Sequence, residues 1–144
     1  MNYIRLGNRH LNSVAKQIVM HARELFVIPD DYEIRIVGEE LGNYDGRCFA
    51  TDCEAGIEIN SEIKWNEPDL AAVVGHEMVH VYQTLHCGLD LEEKQGWYKN
   101  TLYRLKYETE YWLSPWEIEA RGYEDYFRWY WTKSQARNME KIAA

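Results

Sequence analysis

Apolar positions recur at intervals of three and four through Leu11, Val14, Ala15, Ile18, Val19, Ala22, Leu25 and Phe26, which predicts an amphipathic helix over about 9–27. Pro29-Asp30-Asp31 ends it. The period then shortens to two, and Tyr32-Glu33-Ile34-Arg35-Ile36-Val37 alternates apolar and charged as a half-buried strand does. Gly42-Asn43-Tyr44-Asp45-Gly46 is turn chemistry, followed by predicted strands over 47–51 and 55–60. A helical period returns from Leu70 to Leu85. Pro68, Glu67 and Asp69 suit its first turn, and Cys87-Gly88 supplies a stop, so a helix is predicted over about 67–87. Ser114-Pro115 starts another helical stretch, carrying Ile118, Tyr123, Phe127, Tyr130 and Trp131. These elements predict one small α+β domain: an N-terminal helix, a sheet of three or four short strands, a central helix and a helical C-terminal part over 88–144. No repeat or linker divides the 144 residues.

The central helix carries the chemistry. His76-Glu77-Met78-Val79-His80 reads H-E-x-x-H, and on a helix residues four apart stack on one face. Two imidazoles so placed can share one Zn²⁺, with Glu77 beside the metal as a general base rather than a ligand. A hydrolytic zinc site needs a third protein ligand, and Ser114–Arg121 offers two candidates, Glu117 and Glu119. Two positions apart on a helix, these carboxylates diverge by about 200° and cannot both face one ion. Ser114-x-x-Glu117 also reads as a capping box, which would occupy Glu117 and leave Glu119 as the ligand. His86 falls on the wrong face of the helix. Gln83 and Glu124 are placed to support the ligands from behind.

His76-Glu77-x-x-His80 followed by Glu117-x-Glu119-Ala120 resembles the zincin metallopeptidases whose third ligand is a glutamate, the gluzincins, and in its compactness the minigluzincins. The resemblance covers residues 65–125. It implies a zincin-like fold and a zinc-dependent peptidase of peptide or protein substrates. Glu117 takes the ligand position and Ala120 the small residue three places on. Arg121 departs from the pattern, standing where an acidic residue often supports a ligand histidine. The resemblance also implies that a strand along the cleft edge binds extended substrate through its backbone. By position that strand is Gly56-Ile57-Glu58-Ile59-Asn60, which reads equally well as an ordinary paired core strand.

Composition narrows the partners. The net charge is −8, and Lys and Arg form no run, so nucleic acid is excluded as a partner. Three cysteines without a C-x-x-C spacing read as free thiols. Met1–Arg5 lacks the apolar core of a signal peptide, and no stretch is apolar enough to span a membrane, giving a cytoplasmic expectation with a monomer by default. Tyr and Trp concentrate after Trp97. Tyr103, Tyr107 and Tyr111 would form one stripe if they lay on a helix, and one phenol of this region could stabilise an oxyanion. The polar end, Lys133–Ala144, reads as a frayed helix or as a segment covering the cleft. The alternative to a peptidase is a catalytically silent or narrowly targeted zinc-binding regulatory protein.

Overall fold

The computed structural model describes residues 2–143. Strand β1 (Asn2–Arg5) leads into helix α1 (Arg9–Leu25), whose N-cap Asn8 accepts hydrogen bonds from the backbone N–H of His10 and Leu11. Strands β2 (Glu33–Glu39), β3 (Gly46–Ala50) and β4 (Glu54–Asn60) follow, then the central helix α2 (Glu67–His86). The strands form one sheet in the order β1-β2-β4-β3, parallel except for β3, which runs antiparallel at one edge. Alternation decides its faces: Ile34, Ile36, Ala55, Ile57 and Ile59 point into the core, while their neighbours in sequence face outward. Helices α1 and α2 cover the apolar face.

Helix α2 is the pillar of the molecule. Asn66 caps it by accepting from Asp69 N–H at 2.9 Å, and it ends at Cys87 before Gly88, whose φ of +68° turns the chain away. It is apolar nearly all round, from Leu70 to Val81, because it lies between the sheet and the C-terminal helix.

The C-terminal part is not wholly helical as expected. Strands β5 (Asp90–Glu92), β6 (Gln95–Tyr98) and β7 (Thr101–Arg104) form a small antiparallel meander. Its second turn puts Lys99 and Asn100 at φ +49° and +65° between the paired residues Tyr98 and Thr101, the geometry of a two-residue hairpin. Tyr103 therefore lies in a strand, and Tyr103, Tyr107 and Tyr111 form no helical stripe. Short helix α3 (Glu108–Trp112) is followed by α4 (Pro115–Gly122) and α5 (Glu124–Ala143). The single helix expected from Ser114 onward is thus broken at Gly122-Tyr123, and α5 restarts against α2. The far end of α5 is exposed and does not line the cleft. No helix among the described residues is long and apolar enough to cross a membrane.

Candidate metal centre

One turn of α2 aims His76 and His80 at the same point, their ring centroids 5.0 Å apart. Helix α4 brings Glu117 between them: Oε1 lies 3.0 Å from His80 Nε2 and Oε2 lies 3.4 Å from His76 Nε2. Among the described residues these three form the one group of metal-type donors close enough to share an ion. Two ligands of a tetrahedral zinc ion sit ~3.3 Å apart when each bond is ~2.0–2.1 Å, so the spacing present suits the metal.

The capping box that would have diverted Glu117 is absent. Ser114 occupies the N-cap position, but its hydroxyl donates to Tyr111 C=O at 2.7 Å and the Glu117 carboxylate is left to face the histidines. Glu119, on the other side of α4, accepts from Gln83 Nε2 at 2.9 Å and from the Tyr98 hydroxyl at 2.7 Å. It supports the site from behind.

Each histidine is oriented through its second nitrogen. His76 Nδ1 lies 2.8 Å from Glu124 Oε2, and His80 Nδ1 lies 2.8 Å from Gln83 Oε1. The Gln83 amide cannot be the other way round, because its nitrogen already donates to Trp116 C=O and to Glu119. Both Nδ1 atoms thus carry protons, and in the neutral rings both Nε2 lone pairs point at the shared site. Glu124 fills the place that Arg121 leaves open, reaching His76 from the first turn of α5 rather than from α4. Arg128 ties α5 to the start of α2 by donating to Asp69 at 3.1 Å.

Glu77 is 3 % exposed and lines the same cleft, and its Oε2 has no hydrogen-bond partner. A buried carboxylate oxygen without a partner is costly in a finished fold and calls for an explanation, of which a catalytic role is one. Burial pushes the Glu77 carboxyl up, and positive charge on His80 and His76 pulls it part of the way back. Gly46 makes room for it: a Cβ at that position would lie 3.2 Å from Glu77 Oε1 and 3.2 Å from Val73.

The cleft has a volume of about 1440 Å³. It is lined by β3 with the loop before it and by the segment from Leu105 to Trp112, among others. This corrects the sequence reading of 56–60. Gly56, Ile57, Glu58, Ile59 and Asn60 lie in β4, an interior strand hydrogen-bonded to β2 on one side and β3 on the other. Ile57 and Ile59 are core, Glu58 pairs with Arg47 at 3.0 Å, and Asn60 donates to the carbonyls of Gly42 and Tyr44. The strand beside the cleft is β3, whose outer edge pairs with no other strand among the described residues. Nothing in the alternation of residues distinguishes an edge strand from its neighbour; only the pairing order does.

Tyr111 is the aromatic that reaches the centre, its hydroxyl donating to Glu117 Oε1 at 3.3 Å. Burial and the nearby carboxylates raise its pKa beyond the ordinary phenol range, so it stays a donor. His86 contacts the Val27 carbonyl instead, and Cys48, Cys53 and Cys87 are free thiols that gather no metal group. Comparison with protein-family models, with curated proteins and with solved structures finds no match for this chain.

In the metal-free protein the three donors stabilise one another. Burial opposes charge on His76, but the hydrogen bonds it donates to Glu117 and Glu124 outweigh it and push the ring up to about 10. His80 is raised too, against its burial, by Glu117 and then Glu77. Burial works against the charged form of Glu117, yet the two imidazoles hold it well below the usual carboxylate range. The histidine contribution is fully present below the unfolded value near 6.5 and is lost as pH rises through about 10. The Glu117 contribution is present above about 4.5 and is lost as pH falls. Melting of the metal-free protein at pH 7 and pH 10 is therefore expected to show a fall toward pH 10. Glu117→Gln should flatten that slope. A metal-free protein more stable at pH 10 would show that the imidazoles are not held protonated.

Proposed function

We propose that this chain is a zinc-dependent peptidase, with His76, His80 and Glu117 as the metal ligands and Glu77 as the catalytic base. The observation that carries the reading is the buried, unpartnered Glu77 oxygen in the cleft that holds the three-donor group. A purely structural zinc site prefers four closed protein ligands and has no use for such a carboxylate. When bound, zinc supplies Lewis acidity, acidifying water and polarising a carbonyl. Glu77 takes the proton of the attacking water and returns it to the leaving nitrogen. Tyr111 donates to the carbonyl oxygen as it takes up negative charge. The free edge of β3 receives an extended peptide through backbone N–H and C=O groups, holding the scissile bond along the cleft. The three free cysteines support a reducing, cytoplasmic setting.

The test joins metal content to turnover. Protein purified without chelator should hold about one zinc per chain. It should hydrolyse a fluorogenic peptide library, lose that activity to a chelator and regain it on adding zinc. A protein that binds no zinc, or hydrolysis indifferent to the chelator, would overturn the reading.

A further inference from the structure

We propose that the substrate is cationic: an extended polypeptide segment carrying lysine or arginine beside bulky apolar residues. This rests on the peptidase reading of the same cleft and specifies what it cleaves. The cleft is lined by eight carboxylates against four cationic side chains. The cations are already engaged. Arg47 pairs with Glu58, Arg128 with Asp69 and Asp125, Lys106 lies over the ring of Tyr107 and Arg121 over that of Trp112. Four of the carboxylates are not: Asp45, Asp90, Glu93 and Glu108 are exposed and make no ion pair among the described residues.

Their arrangement matters as much as their number. Asp90 and Glu93 follow the end of α2, Glu108 begins α3, and Asp45 precedes β3, so the four come to one cleft from separate stretches of the chain. An extended chain lying along β3 would share the cleft with all four. Negative charge concentrated in a concave, partly apolar site raises the local concentration of cationic ligands and disfavours anionic ones. A divalent ion at the centre offsets only part of it. The apolar component comes from Tyr44, Phe49, Tyr107 and Trp112, large side chains that stay exposed where they line this cleft. Aromatic faces accept aliphatic stems and cationic heads alike, and three of these rings already carry a cation of the chain itself, at 5.4–5.5 Å. Glu77, buried and unpartnered in the same cleft, marks where the scissile bond must come.

Three internally quenched peptides with one apolar frame, flanked by lysine, glutamine or glutamate, test this on the zinc-loaded full chain. At low salt the lysine peptide should exceed the glutamate peptide in kcat/KM by about a hundredfold, shrinking to about tenfold or less at ~0.5 M salt as screening sets in. Asp90→Asn combined with Glu93→Gln should narrow that ratio. Equal turnover of the lysine and glutamate peptides overturns the inference and leaves the peptidase reading standing. If none of the three is cut, fluorescence anisotropy of the same peptides decides. Binding of the lysine peptide at least about tenfold tighter supports a cationic ligand and sinks the peptidase reading. Equal binding, or none, sinks both.

Discussion

Glu77→Gln is expected to retain its zinc and to lose peptide hydrolysis by about a thousandfold, the middle of the range for removing a positioned general base. The side chain ligates nothing in the three-donor group, so metal content should match the wild type. Its shape is kept, so the space that Gly46 leaves for it stays filled. Burial already disfavours its charged form, and a neutral amide removes that cost, so the melting temperature should not fall. The three readouts together separate a lost proton carrier from a lost metal or a lost fold. Turnover within about tenfold of wild type, with zinc intact, would assign the proton transfer to another group. Loss of zinc would place Glu77 among the ligands.

Gly75→Ala should be the most damaging single methyl group in the molecule. A Cβ there would lie 2.0, 2.3 and 2.6 Å from three ring carbons of Phe127, which is fully buried on α5. Alanine gains ~1 kcal/mol in helix propensity over glycine, but overpacking against an immovable ring outweighs it. A net loss of about 3 kcal/mol is expected, lowering the melting temperature by roughly 10 °C for a chain of this size. Function should suffer as well, because the displaced helix carries Glu124 away from His76. Zinc affinity should therefore fall about tenfold even where the protein remains folded. Adding Phe127→Leu should restore part of both. A Gly75→Ala protein as stable as wild type would mean that α5 packs differently against α2.

The parts of this molecule that could be read from its sequence are those fixed by local periodicity. Helices α1 and α2 and strands β2 to β4 begin and end within two residues of their expected places, because their apolar periods and the turn residues that bound them are local in the chain. His76, Glu77 and His80 were legible for the same reason, being neighbours on one helix. What escaped depended on long-range pairing. Strand β1 is four residues long and gains its identity from pairing with β2. The meander after α2 has strands of three and four residues, and its Tyr103 falls at helical spacing from Tyr107 and Tyr111 beyond it. Which of Glu117 and Glu119 faces the histidines turned on where Gln83 and Tyr98 lie, which no spacing within 114–121 could state. Likewise the edge position of β3 followed from the sheet order alone.

The break between α4 and α5 puts the third donor of the candidate centre and its neighbouring support on separate helices. Glu117 rides on α4, and Glu124 rides on α5, which is locked to α2 by Arg128 and Phe127. Two of the proposed ligands are local to α2, but the third lies beyond the meander and α3 in the chain. A chain emerging during synthesis would hold His76 and His80 in place early and still bind the ion weakly, since one helical turn offers half of a tetrahedral set. Tight capture would then be a late event in folding, after the α4 segment docks. The same geometry anchors the third donor, since α4 could leave the histidines only by exposing Trp116 and Ala120, both fully buried.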